Sequence, residues 1–313
     1  MKRKLIQMAG KTLVVSLPAA WVKKYNLKKG HEIDVLEKGK NLIISTEGED
    51  LETNTQVDIT DLPKAIVNRM LIGSYKLGFD EIKVIHHNTN VQDLNTNKII
   101  PVNKLITDII NNFIGIEIVE EGKDYTLLKQ VSKISEAEFD NVLRRIFFIL
   151  NSMSKETLEI IKNKNESLQE AINQKHDTTE KLTNYCLRLL NKKGYQDYKK
   201  TSLLYYLISE LEEIADTYNF IARESLEKNL KISKDTISLF QHVNNSWDNF
   251  YNIFYKYDKE KVMNILKDRK ILWIEIDKLY KKASASDLIL LGRISVIVIK
   301  ILNLTEVKIS MDL

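Results

Sequence analysis

Chain-breaking residues are spread very unevenly along this sequence, and that bounds its fold more tightly than any single motif. All three prolines, Pro18, Pro63 and Pro101, lie in the first third, and beyond Gly122 only Gly194 and Gly292 remain. Proline removes a backbone donor and glycine weakens helices, so a stretch almost free of both can run as long helices. The chain therefore divides near Val131 to Ser135 into a turn-rich mixed region and a helical region. With 313 residues it exceeds one ordinary core, and two or three domains are expected.

The turn-rich region contains two patterns. Residues 1–50 read as short strands around tight turns. Leu13-Val14-Val15 follows a Gly10-Lys11 turn, and Pro18 opens a short helix through Trp21, Val22 and Tyr25. Ile33-Asp34-Val35 and Leu42-Ile43-Ile44 are then joined by Lys38-Gly39-Lys40-Asn41. So short a segment with so few large side chains makes a thin core and needs a partner subunit.

Residues 55–132 read as a small α/β unit of order β-α-β-α-β-β. Val57-Asp58-Ile59 is a strand, a helix runs from Pro63 to a stop at Gly78, and Glu81 to Ile85 is a strand. Asn88 to Asn97 reads as a polar loop and Val102 to Phe113 as a helix. Ile116–Val119 and Tyr125–Leu128 form a hairpin around Glu121-Gly122-Lys123. The adjacent His86 and His87 point to opposite faces of a strand, so they chelate poorly and read as histidines without a metal.

From Ser135 the apolar period becomes helical. Ser135 and Glu138 have capping-box spacing ahead of Phe139, Val142, Leu143, Ile146, Phe147, Leu150 and Met153. Five more helices are expected at about Glu166–Leu190, Lys199–Glu227, Lys234–Tyr257, Lys259–Lys282 and Ser286–Val307. Short connections imply antiparallel neighbours, hence two three-helix bundles, residues 135–228 and 231–313. The apolar run Leu288 to Leu304 is interrupted by Arg293 and Lys300 and reads as a buried helix rather than a span. Cys186 reads as a small core side chain, and Tyr205, Tyr206, Tyr218, Phe220, Trp247, Phe250 and Phe254 as core packing.

Charge matters through its placement. The net charge is only +4, but residues 1–30 carry Lys2, Arg3, Lys4, Lys11, Lys23, Lys24, Lys28 and Lys29 with no acid before Glu32. Such a field fits a polyanion. No P-loop lysine motif, G-x-S-x-G, H-E-x-x-H, C-x-x-C or G-x-G-x-x-G is present, and the five histidines are scattered, so an enzyme is not expected. The N-terminal residues lack a signal-peptide pattern, and a cytoplasmic location is expected.

Two runs carry family resemblances. Lys2 through Trp21, with "VVSLPAAW" after the Gly10 turn, followed by Leu27-Lys28-Lys29-Gly30-His31-Glu32-Ile33-Asp34-Val35, resembles the SpoVT/AbrB swapped-hairpin family. One departure is His31, where that family usually has Asp. The resemblance implies a homodimer whose hairpins interlace into one β-barrel and bind double-stranded DNA. Lys2, Arg3, Lys4 and Lys11 would then meet phosphates, with Arg3 and Gln7 reaching base edges.

The second run, Leu211-Glu212-Glu213-Ile214-Ala215-Asp216 through Asn219-Phe220-Ile221-Ala222-Arg223, resembles the PhoU signature, with Glu213, Ala215 and Arg223 as departures. His176-Asp177-Thr178-Thr179-Glu180 resembles its paired helix. This implies one degenerate site for a divalent or ferric ion, at Glu212 and Asp216 with Glu180, Asp177 or His176. The second copy expected in the last helix has Val296 and Lys300 instead of carboxylates. An AbrB-like module ahead of a PhoU-like region resembles archaeal phosphate-uptake regulators. It implies a DNA-binding regulator of phosphate homeostasis that senses through its helices. The alternative is an adaptor for a phosphate transporter or kinase, with the N-terminal module used only to dimerise.

Overall fold

A computed structural model describes residues 2–8, 10–38, 40–46, 53–132 and 138–313. Ser135 of the expected capping box and Gly39 of the expected turn lie outside them. The chain divides into two compact units, Met1–Leu51 and Glu52–Leu313.

The first unit comprises β1 (Ile6–Met8), β2 (Thr12–Val14), α1 (Ala19–Lys24), β3 (Ile33–Lys38) and β4 (Asn41–Thr46). β1 pairs antiparallel with β2, and β3 with β4, as two separate hairpins. Gly10 (φ +85°) makes the first turn possible, since a side chain is strained there. Among the described residues of this unit none is buried, and Leu5, Leu13 and Leu42 are each more than 60% exposed. Two-stranded ribbons with apolar side chains open to water are not stable alone.

The second unit begins with β5 (Asn54–Asp58), α2 (Lys64–Leu77), β6 (Glu81–Ile85), β7 (Asn90–Gln92), β8 (Ile99–Pro101), α3 (Val102–Ile110), β9 (Ile116–Glu121) and β10 (Tyr125–Gln130). Its sheet has the order β5-β6-β10-β9, with β5 parallel to β6 and the other neighbours antiparallel. The expected order of elements is present, with one addition. The stretch read as a polar loop contributes a strand of the small hairpin β7–β8, in which Val91, opposite Ile100, is buried at 2% exposure. A single apolar residue among polar ones gives no period to read. His86 is buried against Thr126 (Nε2 to Oγ1 3.1 Å) while His87 is exposed, as adjacent strand positions require.

The helical part comprises α4 (Phe139–Asn163), α5 (Ser167–Lys193), a 3-10 turn Tyr198–Lys200, α6 (Thr201–Glu227), α7 (Lys234–Tyr255), α8 (Lys259–Tyr280) and α9 (Ala285–Met311). α4, α5 and α6 pack on one another, as do α7, α8 and α9. α4 also meets α7, and α6 meets α9, so both groups share one continuous apolar core. At its centre Phe147 contacts Trp247, Phe250 and Phe254, with the Phe254 ring centroid 4.8 Å away. Tyr206 and Phe220 depart from the core reading: both are exposed, and Phe220 lies between the guanidinium groups of Arg223 and Arg293.

The starts of α7, α8 and α9 are capped by side chains. Ser233 accepts from the Thr236 amide, and Asp258 from Glu260 and Lys261. Ser284 and Asp287 form a capping box for α9. The other Asp287 oxygen accepts from the amide and hydroxyl of Ser233, so one carboxylate ties the starts of α7 and α9 together. Burial pushes this carboxyl up, but the bonds from Ser284, Ser233 and Thr236 outweigh that and hold it at about 2.

α9 is long and apolar enough to cross a bilayer by length and composition. Here it packs as a core helix, burying Leu290, Leu291, Ile294, Ile297, Val298, Ile301 and Leu304. Cys186 is likewise buried, and burial pushes its thiol up.

Candidate functional site

Two candidate sites follow from the residues. The first is the basic hairpin. In β1–β2, Ile6 faces Val14 and Gln7 faces Leu13 across the ladder. That register carries Arg3 to Ser16, whose hydroxyl accepts from the guanidinium at 3.3 Å. Gln7 donates its amide to the Gly10 carbonyl at 2.7 Å, which braces the turn and leaves its side-chain carbonyl available. Lys2, Lys4 and Lys11 are exposed on the same segment. With no acid before Glu32, the hairpin segment itself carries only positively charged side chains.

The second site lies between α5 and α6. All five expected residues come together here. His176, Asp177 and Glu180 belong to α5, and Glu212 and Asp216 to α6. The His176 Nε2 is 2.6 Å from Asp216 Oδ1, and its Nδ1 is 3.1 Å from Asp177 Oδ1. The Asp216 bond, opposed by desolvation and aided by Asp177, raises the imidazole to about 9, so the ring is a cation at neutral pH. Desolvation raises both the Glu180 and Glu212 carboxyls; it is opposed at Glu180 by His176 and, less, by Lys76, and at Glu212 by the Lys76 ammonium.

Lys76 is the member of this cluster that its local sequence does not reveal. It comes from α2, a hundred residues or more away, and its Nζ lies 3.8 Å from Glu212 Oε2. Its placement follows from how the C-terminus of α2 is satisfied. The last carbonyls of a helix lack partners and attract cations. Here Arg188, fully buried on α5, donates to the carbonyls of Tyr75 and Phe79 at 2.8 Å each and to the Gln130 side chain. Asn191 donates to the Lys76 carbonyl at 2.7 Å, and Lys192 pairs with Asp80. Gly78, the left-handed cap (φ +94°), admits this approach, because a side-chain carbon there would sit 3.2 Å from Lys192 Cβ.

The expected second carboxylate copy is absent from α9, and the structure gives Lys300 another partner. Its ammonium pairs at 2.8 Å with Glu210 of α6, which also accepts from Asn303 at 3.2 Å. A different cluster, unread in the sequence, lies between α7 and α8. The His242 ring bonds Asp268 at 2.6 Å and Glu275 at 3.2 Å, and Ser246 bonds the other Asp268 oxygen. Asp268 and Glu275 are seven apart, so they share a helix face; the histidine arrives from another helix, and nothing local signals it. Among the described residues no group of three or more His, Cys, Asp or Glu side chains is arranged to hold a metal ion.

Comparison with known proteins gives one assignment. Residues 6–52 match the family described as "Antidote-toxin recognition MazE, bacterial antitoxin". The N-terminal unit is therefore similar to a MazE/AbrB-like domain, consistent with a swapped-hairpin arrangement. No curated protein and no solved structure gives a significant match.

Proposed function

We propose that the chain is a dimeric, cytoplasmic DNA-binding transcriptional regulator in which the N-terminal unit reads double-stranded DNA and the helical unit receives a signal. The single observation that carries this reading is the hairpin unit itself: a MazE/AbrB-like segment with no buried residue among those described and a net positive hairpin. Pairing with a second copy covers its apolar strands and doubles the basic surface about a two-fold axis, which suits a pseudo-palindromic duplex. Lys2, Lys4 and Lys11 then contact phosphates, while Arg3 and Gln7 face base edges from a braced turn. The finer assignment, phosphate homeostasis with a PhoU-like sensor, rests on the α5–α6 motif and its surroundings. The clustering of His176, Asp177, Glu180, Glu212 and Asp216 is in keeping with it.

A mobility-shift titration of the Arg3→Ala, Lys4→Ala double variant against genomic duplexes tests the reading. Affinity should fall at least tenfold, and unchanged retardation would contradict it. The matched family's description favours one second reading, recognition of a toxin partner, with or without DNA. Co-purification of the tagged chain with a small stoichiometric partner, alongside failed retardation, would favour that reading.

A further inference from the structure

We infer that the carboxylate site between α5 and α6 holds Lys76 as its built-in cation and is closed to a resident metal ion. The inference is independent of the DNA-binding reading. Four carboxylates, those of Asp177 and Glu180 on α5 and Glu212 and Asp216 on α6, lie within electrostatic reach of one another. Such a grouping needs positive charge, and two cations supply it from the chain itself.

His176 is one. Both of its ring nitrogens lie within hydrogen-bond distance of carboxylate oxygens, 2.6 Å to Asp216 and 3.1 Å to Asp177. Each nitrogen therefore serves as a donor, and neither keeps a lone pair for a metal. Lys76 is the other, 3.8 Å from Glu212 and largely shielded from water, as Glu212 is.

An incoming metal ion would have to expel that ammonium. The backbone of Lys76 is not free to retreat. Its carbonyl is held by Asn191, the preceding carbonyl by Arg188, and Arg188 also holds Phe79. Expulsion would break the Lys76–Glu212 pair and force the lysine stem, on a fixed backbone, out toward water. The cluster thus works as an intramolecular ion-pair clasp between the α/β layer and the bundle.

Manganese binding to the full-length chain, followed by equilibrium dialysis, tests the inference. A Glu212→Gln, Asp216→Asn variant gives the background of sites elsewhere. Wild type and Lys76→Arg should bind no more Mn²⁺ than that background. Lys76→Met, which keeps the stem and removes the charge, should gain at least a tenfold tighter site, lost again when the two carboxylate substitutions are added. Lys76→Gln provides a second neutral side chain if Lys76→Met fails to give a cooperative thermal transition. The inference is overturned if wild type binds Mn²⁺ in a way that the carboxylate substitutions abolish, or if folded neutral variants gain nothing.

Discussion

The N-terminal hairpin unit and the unit that follows it meet the requirement for a core in opposite ways. In the first, no described residue is buried and eight large apolar side chains are exposed, among them Ile6, Met8, Val15, Val35 and Ile43. In the second, one apolar core runs through both helix groups and a separate one fills the α/β layer. Covering an exposed Leu or Ile is worth about 1.5–3 kcal/mol, so on the proposed dimeric reading the hairpins would gain their stability from association, whereas the helices gain it largely from within. If the hairpin unit reads DNA as a dimer, as proposed, anything altering the pairing of two chains would alter DNA affinity. The rest of the chain can stay folded throughout.

The sharpest way to break this comparison is to damage the self-sufficient unit. Replacing Arg188 by Met removes three hydrogen bonds made by a buried guanidinium; the Tyr75 carbonyl keeps its bond from the Gly78 amide, while the Phe79 carbonyl and the Gln130 side chain lose the guanidinium. A loss of about 3–5 kcal/mol in denaturant unfolding is expected. A neutral result would mean that the α/β layer is not clamped as described.

A smaller effect is expected from Leu13→Asp in the hairpin unit. It should weaken association by about 2–3 kcal/mol through lost burial and an unpaired charge, seen by sedimentation, while leaving the unfolding of residues 53–313 unchanged. Parallel loss in both units would merge what the comparison separates.

Asp287→Ala should cost about 2 kcal/mol, because one carboxylate serves two helix starts. Its pH signature has a fixed sign. The folded carboxyl lies near 2, below the ordinary model value of 3.8. Its contribution is therefore present above pH 4 or so and lost as pH falls toward about 2. Acid unfolding of wild type should be steeper in that window than that of the variant, measured by circular dichroism.

The mildest test is the double change Glu210→Gln, Lys300→Met, which removes a buried pair together rather than stranding one partner. It should alter stability by less than about 1 kcal/mol, whereas Lys300→Met alone should cost more.

What the sequence discloses follows from the range of the forces involved. Helix limits were legible because caps and breaks are local: Asp258 starts α8, Gly194 follows α5, and the Pro63 and Gly78 pair brackets α2. The five residues of the α5–α6 cluster were legible through the family resemblance of their two runs; i, i+4 spacing alone fixes a shared face for Glu212 and Asp216, not the meeting of the two helices. The β7–β8 hairpin was not, since its pairing depends on Val91 meeting Ile100 across a loop. Lys76 was not legible either. Its role comes from the docking of α2 on α5, a contact between residues far apart in the chain. His242 escaped for the same reason, and the order β5-β6-β10-β9 is likewise a tertiary outcome. In the hairpin unit the thin core was readable from composition alone.

The central claim is that the hairpin unit reads duplex DNA. Fluorescence anisotropy of genomic duplexes against the full chain and against residues 53–313, at two salt concentrations, tests it most directly. Counterion release predicts binding by the full chain that weakens steeply with added salt and disappears on truncation. Binding that is absent from the full chain, or that survives removal of the hairpins, would contradict it.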